Sequence, residues 1–285
     1  MYKHYIFPLL KIIFLCFFTS FSFGQHQKYD PTKIDSLSFT NNRKLLNSLN
    51  TDKFQKGIYK SGNATIPYRL LSPKHTNEKT KYPLVITFHN SSRIGDNNED
   101  QLEPFARIWL RDEISEQYPC YVLAPQFSKR SSNYETDSNG VLISKPSEDV
   151  FELLKLIGQI EKEYPDIDQN KIYLIGYSMG ASTAQNLMCI EPDKFAAMVS
   201  VAAVPDLSAL NKFKGKNIWL IHGTEDQENP YAGSVELYHK LKGNKNLIFT
   251  TFTYLQHNNI VIPFLTNDKI QKWLFKQRKH GKSKS

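Results

Sequence analysis

Lys171-Ile172-Tyr173-Leu174-Ile175-Gly176-Tyr177-Ser178-Met179-Gly180-Ala181 is the stretch that decides the fold. Its apolar, β-branched and aromatic beginning predicts a buried strand, and residues 181–190 favour a helix. Between them, the Gly-x-Ser-x-Gly segment is typical of a sharp strand-to-helix turn that holds its serine in a strained backbone conformation. Such a turn exposes the hydroxyl at the carboxyl end of a sheet, near the positive end of a helix dipole. The alternative is an ordinary turn with a solvated serine, and the rest of the chain must distinguish the two.

Strand-like and helix-like patterns alternate on both sides of this stretch. Continuous apolar runs at 84–88, 120–124, 196–201, 218–222 and 248–254 predict further strands, and 58–59 with 64–71 predict an antiparallel hairpin. Helices are expected around 102–110, 233–242 and 268–276, and after an N-cap at Ser147. The pattern predicts an α/β fold: a mostly parallel central sheet with an N-terminal antiparallel hairpin and helices on both faces.

Residues 1–24 have the pattern of a signal peptide. Lys3 precedes an apolar run at 5–18 that only Lys11 interrupts, and Ser22-Phe23-Gly24 supplies small residues for cleavage. We therefore predict cleavage after Gly24 and export to the periplasm or the extracellular space. The alternative is an uncleaved anchor, although the run is short for a spanning helix of about 20 residues.

The remaining chain suits a single domain. We divide it into an N-terminal leader segment at 25–56, a catalytic domain at 57–276 and a basic tail at 277–285. The long polar stretch at 127–146 is the best candidate for a loop that faces substrate.

The charge distribution and the cysteine and histidine positions limit the kinds of partner and cofactor that we expect. The formal net charge is +8, and the excess is spread through Lys-rich loops and the tail without a basic, aromatic-interleaved patch, so nucleic acid is not an expected partner. Cys120 and Cys189 fall in an apolar run and on the helix after the serine, which favours two buried thiols over a disulfide. No metal-ligand spacing appears, so no metal or cofactor is expected. We also expect no stable membrane insertion after cleavage; the oligomeric state stays open.

Two further strand ends carry reactive side chains. Asp226 follows the strand at 218–222, and His257 follows the strand at 248–254. Chemistry in such sheets collects at the carboxyl ends of the strands, and Ser178, Asp226 and His257 come in a chain order known for serine hydrolases. We predict Ser178 as the nucleophile, His257 as the base and acid, and Asp226 as the group that orients the imidazole.

Simpler interpretations exist for each residue. A single aspartate at a strand end is more often a turn former, and a single histidine is usually a polar loop residue. Glu225 and Glu228 are alternative acids. His89 and His222 are expected to shape the loops at their strand ends. The joint pattern favours the triad.

The oxyanion that forms during acyl transfer needs preorganised N–H donors. One would be the backbone N–H of Met179, which directly follows the nucleophile. The second should come from the loop after the strand at 84–88, from the backbone N–H of Asn90 or Ser91.

Several ordered motifs together resemble a known group of proteins. They are Ile66-Pro67-Tyr68-Arg69-Leu70, Tyr82-Pro83-Leu84-Val85, His89 through Gly95-Asp96-Asn97-Asn98, Ala124-Pro125-Gln126, Gly176-Tyr177-Ser178-Met179-Gly180 and His222-Gly223-Thr224-Glu225-Asp226. They resemble secreted α/β-hydrolases of the esterase and predicted-peptidase type. That group is similar to feruloyl and acetylxylan esterases, polyhydroxybutyrate depolymerases and the catalytic domain of prolyl oligopeptidases. The resemblance covers residues 57–276 and implies the α/β-hydrolase fold and the triad.

One loop departs from the pattern of the group. The family usually reads His-Gly and small residues before Gly-Glu-Arg-Gly, where this chain has His89-Asn90-Ser91-Ser92-Arg93-Ile94-Gly95. The expected function is a secreted carboxylic ester hydrolase acting on a small-molecule or polymer-borne carbohydrate or short-chain acyl ester. The alternatives are a serine peptidase of the prolyl oligopeptidase-like group and a non-catalytic binding protein that keeps the fold.

Overall fold

The computed structural model describes residues 26–62, 64–77 and 79–279. The predicted signal peptide and residues 280–285 of the predicted basic tail lie outside the described residues.

A nine-stranded sheet forms the centre of the molecule. The strands of the described residues are β1 (His26–Asp30), β2 (Gln55–Ser61), β3 (Ala64–Leu71), β4 (Tyr82–Phe88), β5 (Tyr121–Pro125), β6 (Ser132–Thr136), β7 (Leu142–Pro146), β8 (Ile167–Tyr177), β9 (Ala197–Val201), β10 (Asn217–Gly223) and β11 (Leu247–Phe252). The order in the sheet is β1-β11-β10-β9-β8-β4-β5-β3-β2. Seven neighbouring strands from β1 to β5 run parallel, and β3 and β2 add an antiparallel hairpin at the other edge. The predicted mostly parallel sheet with its N-terminal hairpin is confirmed.

Helices cover both faces of this sheet. They are α1 (Ser36–Asn47), α2 (Pro104–Arg107), α3 (Asp112–Gln117), α4 (Glu148–Glu163), α5 (Met179–Ile190), α6 (Tyr231–Lys240) and α7 (Lys269–Leu274). Because successive strand residues point to opposite faces, Ile172 and Leu174 of β8 pack in the cluster that includes α4, α5 and α6. Tyr173 and Ile175 pack in the other cluster, with α1, α2, α3 and α7. Both faces of β8 are therefore buried, which explains its continuous apolar sequence.

The leader segment is part of the fold. Residues His26–Asp30 pair in parallel with β11 at the edge of the sheet, and α1 buries Leu46 against the core. None of the helices in the described ranges is both long enough and apolar enough to cross a membrane. Cys120 and Cys189 are buried and unpaired.

Three details differ from the sequence-based expectations. The polar stretch at 127–146 contains an antiparallel hairpin, β6 with β7, which packs beside α5. The helix expected around 102–110 is only α2 and a following 3₁₀ turn at Ile108–Leu110, because a residue before proline is disfavoured in a helix and α2 starts at Pro104. Ser147 lies at the N-cap of α4, but its buried hydroxyl makes no capping bond.

Candidate active site

Ser178 lies on a strained turn between β8 and α5. Its backbone φ is 57° and ψ is −125°, a conformation that costs an ordinary residue free energy of order 1–3 kcal/mol. A Cβ built on Gly176 would lie 2.1 Å from the carbonyl oxygen of Gly180, and one on Gly180 would lie 2.4 Å from the carbonyl oxygen of Phe88. The two glycines are therefore required by the close approach of strand, turn and helix.

The structure brings the three predicted triad side chains together. His257 Nε2 is 2.9 Å from Ser178 Oγ, and His257 Nδ1 is 2.7 Å from Asp226 Oδ2. All three side chains are buried, with Ser178 retaining 7% of its surface exposed. Since the carboxylate accepts a hydrogen bond from Nδ1–H, a neutral imidazole presents the lone pair of Nε2 to the serine hydroxyl. This arrangement can withdraw the serine proton during attack on a carbonyl carbon.

Tyr177 contacts both the backbone and the ring of His257 and so helps to fix its position. The Tyr177 hydroxyl donates a hydrogen bond to the carbonyl oxygen of His257 at 2.9 Å. The two rings pack with centroids 5.0 Å apart. His257 also begins a 3₁₀ turn that Gln256 and Asn259 cap reciprocally, so a loop after β11 holds the imidazole in a defined position.

Asp226 is held as a carboxylate by four donors. Oδ1 accepts the backbone N–H groups of Glu228 and Asn229, each at 2.9 Å, and Oδ2 accepts from His257 and from His222 Nε2 at 3.1 Å. Burial alone would raise the pKa of Asp226, but the hydrogen bonds from His222, His257 and Asn229 lower that pKa well below its usual range. The carboxylate therefore stays ionised and able to stabilise an imidazolium.

The two alternative acids do not take this role. Glu225 is exposed. Glu228 Oε2 lies 3.6 Å from His257 Nε2, on the side that faces Ser178, and its side chain is 58% exposed. The Glu228 side chain therefore lies at the solvent-exposed edge of the site.

One predicted oxyanion donor is wrong in this structure. The backbone N–H of Asn90 donates to Glu103 Oε2 at 2.8 Å, and the Asn90 amide donates to Glu103 Oε1 at 3.0 Å. Both bonds direct Asn90 toward Glu103, whose side chain is only 13% exposed. The N–H of Asn90 is therefore not free to meet an oxyanion.

Met179 and Ser91 remain the predicted donors. The N–H of Met179 lies in the first turn of α5, and the N–H of Ser91 begins a 3₁₀ turn at Ser91–Arg93. Neither N–H donates to another group within the described residues. Backbone N–H groups at the start of a helical turn have no partner within that turn, so both are available to a ligand.

His89 fixes the loop that carries Asn90 and Ser91. Its Nδ1 is 2.8 Å from the carbonyl oxygen of Asn90, and its Nε2 is 3.1 Å from the backbone nitrogen of Phe127. Because the carbonyl can only accept and the amide can only donate, His89 carries its proton on Nδ1. Burial lowers the pKa of His89 to about 4, so the ring stays neutral. His89 and Glu103 together hold the peptide groups on both sides of Asn90.

Sequence reasoning missed Glu103 altogether. Its partner Asn90 is 13 residues away, and the only local signal is that Glu103 precedes Pro104, which marks a helix start and not a contact. Burial raises the pKa of the Glu103 carboxyl. The hydrogen bond from the Asn90 N–H and the positive charge of Arg93 lower this pKa but do not cancel the effect of burial. Within the part of the chain that the structure describes, no cluster of three or more His, Cys, Asp or Glu side chains could hold a metal ion.

The chain is similar to known proteins in sequence and in fold. Residues 132–265 match the protein-family model described as Phospholipase/Carboxylesterase. The solved structure of a thermostable esterase is 30% identical over 80% of this chain and 64% of that chain, with a TM-score of 0.71. A comparison with curated protein sequences gave no match.

More distant structures share the fold alone. An acylaminoacyl peptidase from Pyrococcus horikoshii is 16% identical over 89% of this chain and 45% of that chain, with a TM-score of 0.57. A ferulic acid esterase from the anaerobic fungus Anaeromyces mucronatus is 18% identical over 78% of this chain and 90% of that chain, with a TM-score of 0.56. The chain spans less than two thirds of the length of the thermostable esterase and under half of the peptidase. The predicted α/β-hydrolase fold and the resemblance to esterase- and peptidase-type α/β-hydrolases are confirmed.

Proposed function

We propose that this chain, which has the α/β-hydrolase fold, is a serine hydrolase that cleaves carboxylic esters through an acyl-enzyme on Ser178. The observation that carries the proposal is the continuous hydrogen-bonded line from Asp226 Oδ2 through His257 to Ser178 Oγ. The match of residues 132–265 to the Phospholipase/Carboxylesterase model and the likeness to a thermostable esterase support the same chemistry.

Acylation begins when His257 Nε2 takes the hydroxyl proton of Ser178. The serine oxygen forms a bond to the ester carbonyl carbon, and the carbonyl oxygen becomes an oxyanion. The N–H groups of Met179 and Ser91 stabilise that charge. His257 then gives its proton to the alkoxy oxygen, the carbon–oxygen bond breaks, and the alcohol leaves.

Deacylation repeats these steps with water. His257 removes a proton from the water, and the oxygen of the resulting hydroxide adds to the acyl carbon. When the second oxyanion collapses, the bond from the acyl carbon to Ser178 Oγ breaks, His257 returns its proton to Oγ, and the acid is released. Asp226 remains ionised throughout and stabilises the imidazolium in both halves of the reaction. No step in this scheme uses a metal or a cofactor.

We extend the proposal to location and substrate class. The sequence pattern at 1–24 supports export, and an exported enzyme would meet esters that are carried by carbohydrates or polymers. Short-chain acyl esters of carbohydrates are the proposed substrates. Activity measurements on a panel of esters would identify the acyl part and the alcohol part of the substrate.

The test compares residues 25–285 with the Ser178→Ala variant on p-nitrophenyl acetate, measured by release of p-nitrophenol. Wild-type protein should turn over the ester, and the variant should lose nearly all turnover, because removal of a triad member leaves only the contribution of binding and the oxyanion donors. A parallel panel of p-nitroanilide amides tests the peptidase alternative. Equal turnover by both proteins would refute the role of Ser178.

Labelling with a fluorophosphonate probe separates a weak enzyme from a binding protein. The probe should form a covalent adduct on Ser178 that intact-protein mass spectrometry detects, and Ser208→Ala serves as a control at a serine outside the site. Absence of labelling together with no ester turnover would support the non-catalytic alternative.

A further inference from the structure

Two arginine side chains line a cavity beside the candidate active site. The cavity has a volume of ≈ 110 Å³ and lies where β4 and β8 end, with Asn90 and Tyr177 in its wall. Its two arginines are Arg43 of α1 and Arg93 of the loop after β4. Tyr177 directly precedes the nucleophile, and Asn90 directly precedes a predicted oxyanion donor. The cavity therefore adjoins the place where an ester must bind.

The third charged residue of the wall is Glu103, whose carboxylate is already bonded. Arg93 Nε donates to Glu103 Oε1 at 3.4 Å. Asn90 donates to both oxygens of the same carboxylate. The charge of Glu103 is thus balanced by one arginine, and the wall keeps one positive charge in excess.

Arg43 supplies this excess charge. Its guanidinium group lies over the ring of Phe39, one turn earlier on α1, at 5.2 Å from the ring centroid. It makes no hydrogen bond and no ion pair within the part of the chain that the structure describes. Burial raises the pKa values of Glu103 and Tyr177, and the positive charge of Arg43 opposes this rise at both residues. The charge therefore lies close to both, and its N–H donors are available to a ligand.

The chemistry of the wall defines that ligand. A guanidinium group presents its N–H donors in a planar fork that matches the two oxygens of a carboxylate. A cation would be repelled by both arginines, and a dianionic phosphate would exceed the excess charge of the wall, which one carboxylate balances. Phe88, Phe105 and Val261 add carbon surface. Since an engineered cavity of about 150 Å³ binds benzene, this smaller cavity fits a short carboxyalkyl group.

We infer that Arg43 and Arg93 form a subsite that binds a carboxylate carried by the ester substrate. The inference rests on the proposed ester hydrolase function and adds selectivity for acidic esters to it. The carboxylate belongs either to the acyl part or to the alcohol part of the ester, and both sources present the same chemistry to the two arginines. Through Arg43, α1 of the leader segment takes part in substrate binding.

Two pairs of esters test the subsite and distinguish the two sources. The acyl pair is monoethyl succinate and ethyl succinamate; the alcohol pair is 4-acetoxybutanoate and 4-acetoxybutanamide. Within each pair, a carboxamide of the same shape replaces the carboxylate. Wild-type kcat/KM, measured by pH-stat near neutral pH and at low ionic strength, should favour the carboxylate of one pair at least about tenfold, because charge-assisted hydrogen bonds are about twice as strong as neutral ones. The pair that shows the preference identifies the source.

Variants of Arg43 give the more specific test, because Arg93 also bonds Glu103. Arg43→Gln should reduce the preference to below about threefold, and Arg43→Glu should reverse it, since like charges repel. Lys44→Gln is the matched control and should retain the full preference: it removes the same charge from the next residue of α1, which is exposed and does not line the cavity. Each preference compares two esters on one variant, so a change that affects both esters equally cancels.

Three outcomes overturn the subsite: equal kcat/KM within both pairs, a preference that survives in both Arg43 variants, or a preference that Lys44→Gln loses as well. If wild-type protein hydrolyses none of the four esters, saturation-transfer NMR with propionate and propionamide on the Ser178→Ala protein measures binding without turnover. Transfer that is larger for propionate and that Arg43→Gln abolishes supports the subsite, and absent, equal or unchanged transfer refutes it. A lack of turnover of p-nitrophenyl acetate by wild-type protein would instead overturn the proposed function.

Discussion

The polar groups on the two sides of the nucleophile turn are satisfied to different degrees. On the side of the β6–β7 hairpin, buried side chains of α5 are bonded in series: Thr183 to Ser131 at 2.7 Å, Asn186 to Ser132 and Asp206 at 2.8 Å, and Gln185 to Ser200 at 2.8 Å. On the other side lies the loop after β4 that carries Asn90 and Ser91, here called the oxyanion loop. Beside it, Thr87 and Gln101 keep unpaired atoms. Glu103 is a largely buried carboxylate whose pKa burial raises.

The difference separates the region that supports the nucleophile turn from the region that holds the oxyanion donors. A bonded network rigidifies the elements that it connects, and this one fixes α5, which starts directly after Ser178. Unpaired buried groups destabilise a protein, and natural proteins keep such local violations mainly at functional or strained sites. We therefore expect substitutions on the hairpin side to change stability and substitutions on the loop side to change activity.

The largest expected effect comes from a comparison of two buried aspartates, Asp226 in the triad and Asp206 in the hairpin-side network. Asp226→Asn should lower kcat by about 10⁴, because an amide cannot hold His257 in the tautomer that presents Nε2 to Ser178. Asp206, which accepts from Asn186 and Ser208 in the hairpin-side network, provides the matched control. Asp206→Asn should keep kcat within about twofold and lower the free energy of unfolding by about 1–3 kcal/mol, as steady-state kinetics and urea denaturation would measure.

The lowered pKa of Asp226 predicts how the difference in stability between wild type and Asp226→Asn changes with pH. Its folded-state pKa is depressed, so its stabilising contribution is present above its unfolded pKa and is lost as the pH falls through the folded value. The difference in stability between wild type and Asp226→Asn should therefore shrink on acidification below about pH 4. A kcat in Asp226→Asn that equals the value in Asp206→Asn would contradict the assigned role of Asp226.

The central strands and the triad were more predictable from sequence than the loops and the hairpin beside them. Periodicity located the central strands, and the Gly-x-Ser-x-Gly segment with two later strand ends predicted which side chains meet, because parallel strands bring their carboxyl ends to one edge. The contact of Asn90 with Glu103 joins residues 13 positions apart through a loop without a regular period, so no pattern could reveal it. The hairpin within 127–146 was missed for a related reason: its strands are short and polar, and their packing beside α5 is a long-range contact that no local pattern shows.

Glu103→Gln tests the loop side and should have an intermediate effect. Loss of an oxyanion donor typically lowers the rate by a factor of about 10²–10³. Glu103→Gln does not remove the Ser91 N–H but displaces the Asn90 peptide that precedes it, so kcat should fall by only about tenfold, with little change in KM. Binding of a trifluoromethyl ketone, which mimics the oxyanion, should weaken in proportion. Glu113→Gln, at an exposed carboxylate on α3, is the control and should leave both quantities unchanged.

Stability should change in the opposite sense to activity in this variant. A carboxyl whose folded pKa is raised above its unfolded value contributes most stability below the unfolded pKa, and this contribution is lost as the pH rises through the folded pKa. At pH 7 the buried charge of Glu103 therefore costs stability, and Glu103→Gln should melt at an equal or higher temperature than wild type. The advantage should vanish below about pH 4.5. A melting temperature that falls together with kcat would assign Glu103 a purely structural role.

The smallest expected effect comes from two buried threonines that differ only in their partners. Thr183 Oγ1 donates to the carbonyl oxygen of Met179 at 2.9 Å and so must accept from Ser131, whereas Thr87 Oγ1 has no partner. Thr183→Val should lower the free energy of unfolding by about 1–2 kcal/mol, since it leaves the Ser131 hydroxyl buried without an acceptor. Thr87→Val removes a hydroxyl that was already unpaired, so its unfolding free energy should be unchanged or higher by up to about 1 kcal/mol.

Chemical denaturation of the two variants therefore measures the contrast between the regions without any substrate. If Thr87→Val costs as much as Thr183→Val, the Thr87 hydroxyl has a partner in the free protein, and the contrast between the two regions fails. If Thr87→Val costs nothing, the Thr87 hydroxyl is buried without a partner directly before the loop that carries Asn90 and Ser91, and the region of the oxyanion donors gives up stability that the hairpin side keeps.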